Sequence, residues 1–147
     1  MSLRNPWLIA GGCLSAAASF AHLGCIVQGP VWYRFFGAPE PLIRGVEQGD
    51  PTLHWMTAGI AAVLAIWSAY AFAGAGIIRR LPLMRTALVV ISAVYLARGL
   101  LIVPVTFQPD PRPFDLWSSL IVLGYGLVYA IGTARAWPSL SRKESFA

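Results

Sequence analysis

Residues 52–78, TLHWMTAGIAAVLAIWSAYAFAGAGII, decide the fold of this chain because they contain no Asp, Glu, Lys or Arg. A run of about 20 apolar residues is long enough to cross a bilayer whose hydrocarbon core is about 30 Å thick. Three further runs of about this length, which are mainly apolar, lie at 6–27, 83–104 and 115–137. The sequence therefore predicts an all-α integral membrane protein, a four-helix bundle that forms a single domain over residues 1–147.

The composition of the 147 residues favours the same class. Hydrophobic residues make up 57% of the chain and charged residues 12%, whereas an average soluble domain carries about 25% charged residues. The formal net charge of +5 is explained by Lys and Arg residues that set the orientation of the chain in the membrane. We therefore expect no binding of nucleic acid.

The placement of Lys and Arg predicts the orientation, because cytoplasmic loops of membrane proteins carry an excess of these residues. One side of the bundle is formed by Arg4, Arg79, Arg80, Arg85, Arg135, Arg142, Lys143 and Glu144. The other side is formed by Arg34, Arg44, Arg112, Glu40, Glu47, Asp50, Asp110 and Asp115. We expect both termini in the cytoplasm and the chain in the inner membrane of a bacterium.

Three ionisable residues, His22, His54 and Arg98, lie inside the apolar runs. An ionisable group at mid-bilayer costs roughly 2.5 kcal/mol or more, so such a group usually has a partner or a function. Both histidines lie on stripes of small residues, Gly12, Ser15 and Ser19 before His22, and Ala58, Ala61, Ala65, Ser68, Ala71 and Ala75 after His54. Small residues mark the faces on which membrane helices approach each other. Because Tyr95 shares a helix face with Arg98, we expect all four residues to converge near the outer leaflet.

The connection 28–51 is too apolar for a solvated loop, since it contains Trp32, Tyr33, Phe35 and Phe36. We expect residues 31–47 to lie flat at the outer interface as a lid on the bundle. A short helix is predicted to begin near Pro41, because proline is tolerated in a first turn. In this position Glu40 or Glu47 is expected to pair with Arg98.

Together these residues predict a pocket that binds a lipid, a quinone or another amphiphile. The expected ligand-binding residues are His22, His54, Tyr95, Arg98, Glu40 and Glu47. Arg98 would hold the headgroup, and the small residues would leave room for an apolar chain. The chain has no metal-ligand spacing and no recognisable catalytic motif. We therefore expect no cofactor and no metal, and no catalytic residue is identified.

Three alternatives stay open. Two histidines on facing helices are the minimum for a bis-histidine haem, with Arg98 as a propionate partner. They could also hold a catalytic metal if Glu40 or Glu47 supplied a third ligand. Finally, the polar residues could only lock the helices of an accessory subunit, within a homo-oligomer or a larger membrane complex.

Residues 33–40 (YRFFGAPE) and 79–85 (RRLPLMR) resemble segments of small bacterial inner-membrane proteins. The layout is also loosely similar to that of DoxX-like four-helix proteins. The resemblance covers length and topology. It implies a four-helix membrane fold and no particular reaction.

Overall fold

The computed structural model describes residues 4–110 and 112–140, and every regular element in these residues is a helix. In chain order the helices are α1 (Pro6–Gln28), α2 (Pro30–Phe35), α3 (Glu40–Glu47), α4 (Thr52–Gly74), α5 (Met84–Leu100), α6 (Ile102–Thr106) and α7 (Pro113–Leu140). Four stretches are long and apolar enough to cross a membrane, namely α1, α4, α5 together with α6, and α7. The prediction of an all-helical, multi-pass membrane protein is confirmed.

Helix α4 ends at Gly74, earlier than the predicted end at residue 78. The reason is Gly76, whose φ of +76° lies in the left-handed region. The N–H of Ile77 turns back to donate to the carbonyl of Phe72 at 2.9 Å. This is the Schellman pattern of a glycine-terminated helix, which satisfies carbonyls that the helix leaves without partners.

The predicted run 83–104 is interrupted by a proline. Helix α5 ends at Leu100, and α6 continues from Ile102 to Thr106. Pro104 lacks an N–H and its ring crowds the carbonyl of the residue four positions earlier, which is Leu100. Helix α7 begins at Pro113 and is described as far as Leu140, so it is longer than the predicted run 115–137.

The four long helices pack mainly as two antiparallel pairs, α1 with α4 and α5 with α7. Glycines allow the second pair to make backbone contact. A Cβ atom added to Gly99 would lie 2.5 Å from Cα of Leu123, and one added to Gly126 would lie 2.8 Å from N of Leu96. Small residues at these two positions therefore set the distance between α5 and α7.

The small-residue stripes predicted on α1 and α4 form the seam between these helices. Ser19 Oγ donates to the carbonyl of Ala61, and Ser68 Oγ donates to the carbonyl of Gly12, both at 2.8 Å. The exceptions are Ser15, whose hydroxyl bonds residues of α5 and α7, and Ala65, which is exposed. Serine hydroxyls thus link the two helices near both ends of the seam.

The described ends of the chain, together with residues 75–83, lie at one end of the bundle, which we call the terminal end. The opposite end, with residues 29–51 and 101–112, is the loop end. There Tyr33 and Ile43 are buried against Cys25 of α1 and Leu53 of α4. Helix α3 begins at Glu40, one residue before the expected start, with a proline in its first turn.

The contact between α5 and α7 predicts that two glycines of α7 respond differently to replacement by alanine. Gly126→Ala should lower the free energy of unfolding by about 1–3 kcal/mol, because the new methyl group meets backbone atoms of α5. Gly124→Ala is the matched control, since nothing lies within 4 Å of its Cβ position. Unfolding in mixed detergent micelles measures both variants. Equal losses would show that the glycines do not set the helix distance.

Candidate functional site

The two histidines lie on α1 and α4 near the loop end, and both are half-buried. His22 Nδ1 lies 2.7 Å from the carbonyl oxygen of Ala18, one turn earlier on the same helix. Because a carbonyl only accepts, Nδ1 carries the proton and donates it. The ring of His54 packs edge-on to Tyr33, with the centroids 5.6 Å apart. Each histidine thus contacts a different residue, and neither of these contacts links His22 to His54.

Tyr95 is placed in the middle of the bundle. Its hydroxyl lies 2.8 Å from Ser15 Oγ, which lies 2.7 Å from the hydroxyl of Tyr129. Tyr129 in turn donates to the carbonyl of Trp67 at 3.2 Å. Ser15 precedes His22 by seven positions on α1, which separates the two by about 10 Å along the helix axis. Tyr95 therefore belongs to a different level of the bundle from the histidines.

The direction of these hydrogen bonds follows from the carbonyl at one end. Because the Trp67 carbonyl can only accept, the Tyr129 hydroxyl donates to it and its oxygen is left to accept from Ser15. Ser15 has then used its proton, so it accepts from Tyr95. The result is one chain of hydroxyl groups that joins α5, α1, α7 and α4. Such chains polarise each bond in turn, which strengthens them.

Arg98 is exposed, and its Nη1 donates to Ser119 Oγ at 3.1 Å. The pairs Gly99 with Leu123 and Gly126 with Leu96 place the backbone of Arg98 opposite residue 124 of α7. Ser119 lies five positions nearer the loop end than residue 124, so the side chain of Arg98 extends toward that end. Long cationic side chains reach toward an interface in this way.

The expected pairing of Glu40 or Glu47 with Arg98 is wrong. Both carboxylates bind Arg34 Nη2 instead, at 3.1 Å and 2.7 Å. Arg34 lies on the neighbouring short helix α2, so a short loop brings the charges together at little cost in chain entropy. The hydrogen bond from Arg34 also holds the pKa of the Glu40 carboxyl below its ordinary value.

The structure therefore distributes the predicted site residues over four places. The histidines lie near the loop end of the pair α1–α4, Tyr95 lies at the centre, and Arg98 lies on an exposed face of the pair α5–α7. Glu40 and Glu47 lie on α3 beside Arg34. Within residues 4–110 and 112–140, no group of three or more His, Cys, Asp or Glu side chains could hold a metal ion.

A groove of about 570 Å³ lies between α5 and α7, toward the terminal end. Its walls are apolar or small side chains with two hydroxyls, namely Val89, Ser92, Ala93 and Leu96 of α5 and Ala130, Thr133, Ala134 and Trp137 of α7. Ser92 donates to the carbonyl of Leu88. Thr133 is only 5% exposed, and its hydroxyl has no hydrogen-bond partner among the described residues.

Arg85 lies one turn before Val89 on α5 and contacts Trp137, a lining residue of the groove, although Arg85 does not itself line it. Its guanidinium carbon lies 4.5 Å from the centroid of the Trp137 ring, and its Nη2 donates to the Trp137 carbonyl at 3.2 Å. Arg85 Nε is buried and has no partner in the part of the chain that the structure describes. Only three buried side-chain atoms of these residues lack a partner. One of them, Thr133 Oγ1, belongs to the groove wall, and another, Arg85 Nε, lies beside Trp137.

This arrangement has a signal in the sequence. Arg85, Val89, Ser92 and Leu96 follow one another at spacings of 4, 3 and 4, which places them on one helix face. From the sequence alone Arg85 is expected only to be one of the cytoplasmic charges, because it lies near the connection between the second and third apolar runs. The spacing alone does not identify which face of α7 packs beside it.

The comparisons with known proteins add no relative. No family model matches this chain, no curated protein matches it, and no solved structure matches it. The similarity to DoxX-like proteins thus stays a resemblance of size and layout. The function has to be argued from the residues themselves.

The number of hydrogen bonds that each tyrosine makes in the hydroxyl chain predicts an order of losses. Tyr95→Phe removes one hydrogen bond and should cost about 0.5–1 kcal/mol of unfolding free energy, whereas Tyr129→Phe removes two and should cost about 1–2 kcal/mol. Tyr70→Phe is the control, because its hydroxyl is bonded at the exposed surface to the carbonyl of Pro82. Unfolding in detergent measures all three variants, and a larger loss for Tyr95→Phe than for Tyr129→Phe would contradict the central position of Tyr129 in the hydroxyl chain.

Proposed function

We propose that this chain is a multi-pass protein of the bacterial inner membrane that binds an anionic phospholipid in the groove between α5 and α7. The observation that carries the proposal is a pair of unpartnered buried donors, Thr133 Oγ1 in the wall of the groove and Arg85 Nε beside Trp137, which also lines the groove. A buried donor without a partner costs about 1–3 kcal/mol, so it calls for an acceptor that the chain itself does not supply. A phospholipid has acceptors in its phosphate and its ester carbonyls.

The orientation proposed for the protein has both termini in the cytoplasm. Among the described residues, the terminal end carries five arginines, Arg4, Arg79, Arg80, Arg85 and Arg135, and no carboxylate. The loop end carries both signs of charge. Residues 142–144, which also entered the charge count, lie outside the described residues. The positive-inside rule supports a cytoplasmic terminal end, so the groove would face the inner leaflet.

The first connection would then lie at the periplasmic interface. Helix α3 has an apolar side that buries Ile43 and a polar side that carries Glu40, Arg44 and Glu47. The preceding segment carries three exposed aromatic rings, those of Trp32 and Phe35 on α2 and that of Phe36 directly after it. An amphipathic helix with neighbouring aromatic residues is typical of segments that lie in the plane of an interface.

The groups along the groove follow the same order as the parts of a phospholipid, which are the phosphate, the ester carbonyl and the acyl chain. Arg85, beside Trp137, would hold the phosphate at the depth of the headgroups, where tryptophan is common. Thr133 lies one turn further into the membrane, about 6 Å along the axis, and would donate to an ester carbonyl. The small residues Ala93, Ala130 and Ala134 line the course of the acyl chain. The outer-leaflet pocket expected from the sequence differs from this groove, because it combines Arg98 with His22, His54, Tyr95 and a carboxylate of Glu40 or Glu47.

The proposed orientation predicts the behaviour of two reporters. A reporter that is active only outside the cytoplasm should be active when inserted after Gly45 and silent when fused after Ala147. The reason is the excess of arginine at the terminal end. A fusion within residues 75–83 serves as the internal control and should also be silent. The opposite pattern would place the groove in the outer leaflet.

The proposed lipid site predicts a selective loss of binding. Native mass spectrometry of the protein with phosphatidylglycerol should show at least tenfold weaker retention in Arg85→Gln, because a charge-assisted hydrogen bond contributes about 1.5–3 kcal/mol. Thr133→Val should weaken retention several-fold. Arg98→Gln is the matched control, with the same change in charge on the other half of α5.

Two outcomes would contradict this proposal. An equal loss in Arg85→Gln and Arg98→Gln would mean that only the total charge matters. Unchanged lipid retention, together with dissociation of an oligomer in Thr133→Val, would mean that the groove receives a helix of another subunit. The second result would favour the accessory-subunit alternative, in which small residues and a threonine hydroxyl form a helix contact.

A further inference from the structure

A second depression, of about 500 Å³, opens at the terminal end on a different face of α7 from the groove. Three arginines line it, Arg4, Arg80 and Arg135, together with the polar residues Asn5 and Ser139. Among the residues that the structure describes, the remaining lining residues are apolar or small, and none of the lining residues is acidic. The depression is therefore a concave surface with three positive charges.

The three arginines come from three separate parts of the chain. Arg4 precedes α1, Arg80 lies in the connection between α4 and α5, and Arg135 lies near the described end of α7. Arg80 Nη2 donates to the carbonyl of Ser139, and the guanidinium of Arg135 lies 5.3 Å from the Trp7 ring centroid. Two of the three guanidinium groups thus have contacts that position them at the depression.

Like charges that face one cavity repel one another, and a bound anion removes this repulsion. Guanidinium groups match the oxygens of phosphate because they donate two parallel hydrogen bonds. Basic pockets between membrane helices on the cytoplasmic side are also suited to phosphate-bearing headgroups. The chemistry of the depression therefore selects for phosphate rather than for a cation or an apolar molecule.

We infer that this depression binds a phosphate-bearing anion whose phosphate contacts Arg4, Arg80 and Arg135. The anion is either a phosphomonoester or diphosphate headgroup of a lipid, or a soluble phosphate compound. The site shares no lining residue with the groove between α5 and α7. The inference is accordingly independent of the proposed phospholipid site.

The test uses the full-length protein and two probes. Calorimetric titration in detergent with inorganic pyrophosphate examines the soluble source. Nanodiscs of phosphatidylcholine with a small share of phosphatidic acid, analysed by native mass spectrometry, examine the lipid source. At least one probe should bind the wild-type protein and bind at least tenfold more weakly to Arg135→Gln, because three converging cations become two.

Two further variants keep the result interpretable. Arg79→Gln is the matched control, because Arg79 lies beside Arg80 in the sequence but does not line the depression, and its affinity should stay within twofold of wild type. Arg135→Lys keeps the charge and the position over Trp7 but loses the paired donors, so an intermediate affinity is expected. Thermal unfolding without any probe checks that the variants fold.

Each outcome decides the question. Binding of pyrophosphate identifies a soluble anion as the ligand, and binding of phosphatidic acid alone identifies a lipid headgroup. Failure of both probes to bind the folded wild-type protein would overturn the inference. Equal losses in Arg79→Gln and Arg135→Gln would overturn it as well, because the effect would then belong to the general positive charge of this end.

Discussion

The chain of hydroxyl groups from Tyr95 through Ser15 and Tyr129 to the carbonyl of Trp67 is the interaction on which the rest of the structure depends. It is a single set of hydrogen bonds that joins all four long helices. Inside a membrane no water is present to satisfy a displaced hydroxyl. A shift of one helix along its neighbours would therefore break the chain and leave polar groups unpaired. Apolar contacts with lipid or between helices do not fix the register in this way, because lipid tails are as apolar as the side chains they replace.

In this helix register few buried hydrogen-bond donors lack a partner, and the proposed function depends on where these donors lie. The serine hydroxyls of the seam between α1 and α4 bind backbone carbonyls, and Arg98 binds Ser119. Of the unpartnered donors of the pair α5–α7, Thr133 Oγ1 lies in the groove wall and Arg85 Nε lies beside Trp137. Close packing at Gly99 and Gly126 pulls the two helices together toward the loop end, and the groove opens on the other side of this contact, toward the terminal end.

The long helices followed from the sequence because the hydrophobic run of a membrane span is a local property. Gly76 and Pro104 could also have been recognised as helix ends, since their effects act within one turn. The partners of charged residues were not predictable in the same way. Arg98, Glu40 and Glu47 are expected to pair because the sequence places all three near one interface. In the structure α5 packs mainly on α7, and both carboxylates bind Arg34 instead. Which helices face each other depends on the packing of the whole bundle. The contact of Arg85 with Trp137 of α7 could therefore not be predicted from the sequence.

The most direct test of the central claim is a structure of the protein in nanodiscs that contain phosphatidylglycerol, at a resolution that shows ordered lipid. The account predicts a phosphate within hydrogen-bond distance of Arg85 Nε, and an acyl chain that runs along Ala93 and Ala130. A groove filled by a helix of another copy, or a phosphate bound at Arg98 while the groove stays without ordered lipid, would contradict it.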